Sequence, residues 1–100
     1  MPKPTQPATA AVSEPGASLI QYPSAFPMKV MGENVDGLVH AVSMIAKAFD
    51  PGFDATTIAL RPSRGGKYLG ITITITATSR EQLDELYRTL STHPMVKVVL

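Results

Sequence analysis

The sequence has one local concentration of positive charge, Arg61, Arg64 and Lys67, which surrounds the pair Gly65-Gly66. Glycine-rich basic loops can hold phosphate, because glycine lets backbone N–H groups approach an anion that the cations neutralise. The full spacing of a P-loop is missing, and the flanking patterns predict a β-hairpin rather than a strand followed by a helix. The cluster therefore predicts a basic hairpin loop, either simply solvated or in weak contact with an anion.

A second candidate site surrounds the start of the first predicted helix and consists of Met31, Gly32, Glu33, Asn34 and Gly37. The two glycines flank a point where free backbone donors and the positive end of the helix dipole could receive a carboxylate. This pattern predicts a binding site for a small acid. In the alternative interpretation, Glu33 and Asp36 are acids that merely stabilise a helix N-terminus.

The residue types offer no catalytic or metal-binding constellation. The absence of cysteine excludes disulfides, thiolate metal sites and a cysteine nucleophile. The only imidazoles, His40 and His93, lack the partner one helical turn away that a zinc site would favour. A solvated helix face explains Glu81, Asp84 and Glu85 fully. We therefore expect no enzyme, no metal and no cofactor.

Length and composition predict one small domain preceded by a tail. The chain has 100 residues, of which 44% are hydrophobic, and its net charge is only +1, which argues against a dominant polyanion-binding role. Residues 1–21 are rich in proline and alanine, which predicts a disordered tail before a domain over residues 22–100. There is no signal peptide pattern and no run approaching about 20 apolar residues, so we expect a cytoplasmic protein without a membrane span.

In the first half of the domain, apolar spacing predicts a strand and then a helix. Phe26, Met28 and Val30 alternate with other residues, as in a strand with one face on a core. Gly32 ends this strand and Asn34 is a plausible helix cap. A helical stripe of Leu38, Val42, Ile45 and Phe49 follows, and Asp50-Pro51-Gly52 terminates it.

The second half predicts two strands, a helix and a last strand. The inward side chains of the second strand would be Thr56, Ile58 and Leu60; those of the third run from Leu69 through Ile71, Ile73 and Ile75 to Ala77. The second helix would begin at a capping box, either Thr78 with Glu81 or Ser79 with Gln82. Its predicted apolar stripe is Leu83, Leu86, Tyr87 and Leu90, and Asp84 and Arg88 would form an ion pair on its surface. The last strand would point Val96, Val98 and Leu100 inward.

This order of elements predicts an α+β, ferredoxin-like βαββαβ sandwich, a four-stranded antiparallel sheet with strand order 4-1-3-2. Both helices would cover one face and leave the other open. We expect the open face to carry Lys29, Met31, Thr57, Ala59, Arg61, Thr72, Thr74, Thr76, Lys97 and Val99. An open sheet face beside a glycine-flanked helix start resembles the ACT domains, regulatory modules that bind amino acids at dimer interfaces.

Several longer segments resemble the YbeD-like family of small bacterial cytoplasmic proteins. They are Phe26-Pro27-Met28-Lys29-Val30-Met31-Gly32, Arg61-Pro62-Ser63-Arg64-Gly65-Gly66-Lys67-Tyr68, Ile73-Thr74-Ile75-Thr76-Ala77-Thr78 and Val98-Val99-Leu100. The resemblance spans residues 22–100. It implies an ACT-like ferredoxin fold and brings no catalytic residue with it. A link to lipoate metabolism has been proposed for the family from genomic association.

The sequence favours a regulatory or adaptor domain that binds a small acid or a protein partner and performs no catalysis. A second copy of the chain could pair through the open sheet face or an edge strand. The alternative is a weak RNA-binding module that uses Arg61, Arg64, Lys67 and Lys97. Nucleic acid is disfavoured, because threonines occupy the face where stacking aromatic side chains would be needed.

Overall fold

The computed structural model describes residues 21–100, which form four strands and two helices. The predicted tail lies outside the described residues, except for Gln21. Short 3₁₀ turns at Ala55–Thr57 and Arg64–Gly66 stand before and after the second strand. The main elements, in chain order, are β1 (Ser24–Glu33), α1 (Leu38–Phe49), β2 (Ala59–Pro62), β3 (Tyr68–Ala77), α2 (Arg80–Ser91) and β4 (Val96–Val99).

The strands form one antiparallel sheet in the order β2-β3-β1-β4, and both helices pack on the same face of it. This arrangement confirms the predicted ferredoxin-like sandwich. Its centre is the pairing of β1 with β3 along ten residues of each strand, from Ser24 opposite Ala77 to Glu33 opposite Tyr68. Neither described helix is long and apolar enough to cross a membrane.

The core lies between this sheet and the two helices. The inward isoleucines of β3, Ile71, Ile73 and Ile75, are almost fully buried, as the alternation predicts. The helices meet them with fully buried side chains at helical spacing, which are Leu38, Val42 and Ala46 of α1 and Leu86 and Leu90 of α2.

The start of α2 confirms the second of the two predicted capping boxes. The Ser79 hydroxyl accepts a hydrogen bond from the Gln82 amide at 3.0 Å. The Gln82 side chain then accepts from the Thr78 amide at 2.8 Å and donates to the carbonyl oxygens of Phe49 and Thr76 at 2.9 and 3.3 Å. One glutamine thus joins the start of α2 to the end of α1 and the end of β3.

Two predictions for α2 are wrong. Tyr87 is 50% exposed and lies outside the buried stripe, because Leu86 and Leu90 already supply the side chains that enter the core. The predicted Asp84–Arg88 pair does not form. Asp84 instead lies 3.8 Å from the Arg80 guanidinium, and Arg88 lies 2.7 Å from Glu85, one residue nearer in sequence.

The second strand begins later than predicted. The Asp54 carboxylate accepts hydrogen bonds from the Thr56 amide at 2.9 Å and the Thr56 hydroxyl at 2.6 Å. These local bonds favour a capped 3₁₀ turn over an extended chain, so Thr56 and Thr57 leave the sheet. Thr57 is therefore not on the open face. Leu60 does point to the helix side, beside Ile71, but it is exposed because β2 is the outermost strand.

In β4, one extra residue reverses the predicted side-chain alternation. Val96 pairs with Gly32 and Val98 with Met31, so Lys97 is the additional residue of a β-bulge. Val99 is consequently buried opposite Val30, whereas the prediction placed it on the open face. Val98 and Leu100 are exposed on the side where Val99 was expected, and Leu100 exchanges two backbone hydrogen bonds with Lys29.

Candidate functional site

The face of the sheet opposite the helices is bare among the described residues, and we call it the bare face. Its central row runs across all four strands, from Arg61 through Gly70 and Met31 to Val98. The next row contains Ala59, Thr72, Lys29 and Leu100. Threonines Thr74 and Thr76 extend the face along β3.

A shallow depression of about 520 Å³ lies on this face where β2, β3 and β1 run side by side. Gly70 has no side chain to fill the central row, where Arg61 and Met31 flank it, and Lys29 lies in the next row opposite Thr72. The cations, the Thr72 hydroxyl and the apolar Met31 side chain give the depression polar and apolar walls. The full lining is Lys29, Met31, Ala59, Leu60, Arg61, Gly70 and Thr72.

Charge is segregated between the two sides of the molecule. The strands carry Lys29, Arg61 and Lys97 and a single acid, Glu33, which lies 3.8 Å from Lys97. The other described acids lie on α2 or in turns next to α1, and they outnumber the three basic residues of the helices, Lys47, Arg80 and Arg88; they are Asp36, Asp50, Asp54, Glu81, Asp84 and Glu85. The bare face therefore attracts anions more strongly than the helix side does.

The structure separates the five residues of the predicted acid-binding site. Met31 lines the depression on the bare face, and Glu33 is exposed beside Lys97. Gly32 is buried in β1, where a Cβ atom would collide with the Met95 carbonyl oxygen, so this glycine allows a close backbone contact. Packing therefore accounts for Gly32 without any ligand.

The remaining two residues of that site lie in the loop between β1 and α1. Asn34 is not the cap of α1. Its side chain donates to the Gly66 carbonyl at 3.1 Å and its amide donates to the Lys67 carbonyl at 2.9 Å, which fastens this loop to the hairpin. The N-cap is Gly37, which has a φ of 92° and provides no side-chain hydrogen bond.

The structure brings only one residue of the basic hairpin loop into the depression, which is Arg61. Arg64 and Lys67 are exposed around a tight turn in which Gly65 and Gly66 both have positive φ. Lys67 lies 5.5 Å from the centre of the Tyr68 ring, a cation–π distance. The hairpin thus presents its charge to solvent at the rim of the bare face.

The imidazoles and carboxylates of the described residues do not assemble a metal centre. Within residues 21–100, no three histidine, aspartate or glutamate side chains are grouped as metal ligands would be. His93 has a local structural partner, because its Nδ1 accepts a hydrogen bond from the Met95 amide at 3.1 Å. His40 is exposed on α1 beside β2.

Sequence reasoning placed Lys29 on the open face but assigned it no role, and it passed over Gly70. A signal was present, because Gly70 precedes a run of outward threonines, Thr72, Thr74 and Thr76, and a glycine inside a strand often marks close approach of another group. The register that places Gly70 between Arg61 and Met31 is a property of the folded sheet.

Comparisons with known sequences decide the family. Residues 17–100 match the family described as "Protein of unknown function (DUF493)". The chain belongs to this family. A UPF0250 protein of Leptothrix cholodnii is 63% identical over 83 residues, which cover 83% of this chain and 91% of that protein. A UPF0250 protein of Bordetella pertussis is 55% identical over 86 residues, covering 86% and 94%.

These relatives confirm the resemblance to the YbeD-like proteins, and solved structures confirm the fold. The solution structure of HP0495 from H. pylori matches with a TM-score of 0.70 at 14% sequence identity. The match covers 90% of this chain and 94% of the H. pylori chain. The ACT domain from GTP pyrophosphokinase of Chlorobium tepidum matches with a TM-score of 0.59 at 17% identity, covering 77% and 83%. This DUF493 protein therefore has an ACT-like ferredoxin fold.

Proposed function

We propose that this domain is a regulatory or adaptor module that binds an acidic ligand at the bare face and performs no catalysis. The single observation that carries the proposal is the depression between Lys29 and Arg61, on the side of the sheet where basic side chains outnumber acidic ones. The titratable side chains around it offer no nucleophile activated by a base. A cytoplasmic location is part of this proposal.

The lining favours a ligand with a carboxylate or phosphate and a short apolar portion. Lys29 and Arg61 would neutralise the acid, and the Thr72 hydroxyl would donate or accept a hydrogen bond. Met31 and Ala59 would contact the apolar portion. Both a small acid and an acidic segment of a protein partner meet these requirements.

The loop residues Glu33, Asn34 and Gly37 belong to the proposal as a neighbouring element. The Asn34 side chain bonds the hairpin that follows Arg61, so a ligand bound at the bare face would change the environment of this loop as well. We expect the backbone amides of Asn34 and Gly66 to report binding although they do not line the depression.

Titration of the ¹⁵N-labelled full chain with amino acids, short carboxylates and an acidic peptide tests the proposal by NMR. We expect amide shifts to concentrate on Lys29, Gly70 and Thr72 for at least one of these probes. Neutralising both cations, Lys29→Gln with Arg61→Gln, should weaken binding about tenfold, since two exposed ion pairs are lost.

The matched control neutralises two cations of the helices, Lys47→Gln with Arg88→Gln, and should leave the affinity unchanged. If every probe leaves the amide spectrum unaltered, or if the helix variant weakens binding as much as the sheet variant, the bare face is not the binding site.

The second candidate function is weak RNA binding by Arg61, Arg64, Lys67 and Lys97, which all carry exposed charge on or beside the sheet. Only one aromatic side chain of β3, Tyr68, is available for base stacking. A gel-shift titration at increasing salt separates the candidates, because phosphate contacts lose affinity steeply as salt is added. Retardation that falls steeply as salt is added would favour RNA binding, whereas no retardation even at low salt would favour the acid-binding proposal.

A further inference from the structure

The outer edge of β2 has one complete set of free backbone groups, at Leu60. The Ser63 amide donates to the Tyr68 carbonyl at 2.8 Å, which fixes the phase of the pairing between β2 and β3. Because antiparallel pairs alternate, Ala59 and Arg61 direct their backbone groups toward β3, and Leu60 directs its N–H and C=O away from it. The next outward position is Pro62, which has no N–H to donate.

The Leu60 side chain borders an apolar groove on the helix side of this edge. It is 52% exposed although its Cβ points to the same side as the buried Ile71. The groove has a volume of about 420 Å³ and separates α1 from β2. Its lining is Val39, His40, Ser43, Ala55, Ile58 and Leu60.

We propose that this edge binds a second copy of the chain, whose β2 pairs antiparallel with the first about a twofold axis at Leu60. The inference deepens the partner part of the proposed function, whereas acid binding at the bare face does not depend on it. Each Leu60 would exchange two backbone hydrogen bonds with its counterpart and insert its side chain beside the partner's groove.

The residues of β2 are self-complementary in this register. Pairing centred on Leu60 places Ala59 opposite Arg61 of the second copy, so no two like charges face each other across the edge. A register that paired Pro62 with the second copy would lose a hydrogen bond there, because proline has no backbone N–H to donate. The proline therefore restricts the pairing to the register centred on Leu60.

Charge complementarity outside β2 supports the antiparallel orientation. The turn at Asp54 precedes β2 and the basic hairpin follows it, so an antiparallel pair would bring the turn of one copy to the same end of the interface as the hairpin of the other. Hydrogen bonds from the Thr56 side chain and amide lower the pKa of Asp54 and keep it ionised. Its carboxylate would meet Arg64 and Lys67 twice in the symmetric pair, and all three side chains are exposed in the single chain.

Cysteine cross-linking tests the register directly, because the chain contains no cysteine of its own. Facing residues of a non-hydrogen-bonded antiparallel pair have Cα atoms about 4.5 Å apart, within the range of a disulfide. A mixture of the Ala59→Cys and Arg61→Cys variants should therefore oxidise to a mixed dimer, whereas either variant alone should give little. Equal yields in all three samples, or none, would overturn the proposal.

The oligomeric state of the full chain provides the second measurement. Analytical ultracentrifugation should show a concentration-dependent dimer that Leu60→Lys converts to a monomer, with circular dichroism confirming that the variant is folded. Val98→Lys, at an exposed apolar residue of the opposite edge strand, is the matched control and should keep the dimer. A chain that stays monomeric at the highest concentration, or a Leu60→Lys variant that still dimerises, contradicts the inference.

The NMR titration of the parent chain, run below and above the concentration at which the dimer forms, separates the two proposals, because Leu60 itself lines the depression. Retained shifts at Lys29 and Gly70 in the monomer would show that acid binding survives without the dimer. A dimer that forms in a chain whose bare face binds no probe supports the edge pairing alone.

Discussion

The two faces of β3 carry alternate residues of one ten-residue strand and serve opposite purposes. On the helix side, Ile71, Ile73 and Ile75 are buried against α1 and α2. On the bare face, Thr72 is half-buried and Thr74 is exposed. Burial of branched side chains stabilises the fold, whereas the threonines retain strand geometry without requiring a cover. A strand can therefore hold the domain together on one face and remain free for recognition on the other.

The largest effect is expected on the helix side, at Ile73. Its side chain is fully buried, so Ile73→Ala removes apolar contacts and leaves a cavity among the core residues. We expect the free energy of unfolding to fall by about 2–5 kcal/mol. Urea denaturation followed by circular dichroism measures this loss. A loss below about 1 kcal/mol would mean that the core side is packed no better than the bare one.

A smaller loss is expected where the sheet meets the β4 turn, at Gly32. In Gly32→Ala the new methyl group would collide with the Met95 carbonyl oxygen, so the backbone must shift at a cost of about 1–3 kcal/mol. The control is Gly52→Ala, whose methyl group would have its nearest contact at 3.6 Å, from the Asp50 carboxylate. Equal thermal stability of the two variants would remove the packing explanation for Gly32 and favour a ligand-binding role.

The link between the helices should contribute less. Gln82→Ala removes a side chain that bonds the Thr78 amide and the carbonyls of Phe49 and Thr76, and we expect a loss of about 1–2 kcal/mol. The neighbouring Glu81→Ala, at an exposed position, controls for helix propensity. Thermal unfolding of both variants measures the difference, and indistinguishable midpoints would count against the capping network.

The smallest effect is expected on the bare face, at Thr74. Thr74→Ala changes an exposed side chain, so the free energy of unfolding should stay within about 0.5 kcal/mol of the parent. Urea denaturation of Thr74→Ala and Ile73→Ala under the same conditions compares the two faces at neighbouring positions of one strand. A loss comparable with that of Ile73→Ala would show that another layer covers this face.

Elements in which apolar residues recur at strand or helix spacing were predictable from the sequence, because that spacing indicates which side chains are buried. The isoleucines of β3 and the stripe of α1 identified a strand and a helix, and the order of all the elements then predicted the sandwich and its strand order. The capping box at Ser79 was also predictable, since its chemistry is local. The patterns that identify these elements are local in sequence, although distant contacts such as that of Gln82 with Phe49 also stabilise them.

The errors arose where a distant or competing contact decides the outcome. Asn34 has the chemistry of a helix cap, but its side chain bonds Gly66, far away in sequence. Thr56 has strand propensity, but the Asp54 carboxylate holds it in a turn. The depression on the bare face was missed for the same reason, because the register that places Gly70 between Arg61 and Met31 is set between strands.

The bulge at Lys97 determines which side chain in the second half of β4 points into the core. Strand side chains alternate, so the extra residue determines whether Val98 or Val99 enters the core. Deletion of Lys97 would remove the bulge and leave Val98 opposite Met31 and Val99 opposite Val30, so Val99 would stay the buried residue. A strand that kept Lys97 without a bulge would instead pair Lys97 with Met31, and Val98 would enter the core in place of Val99.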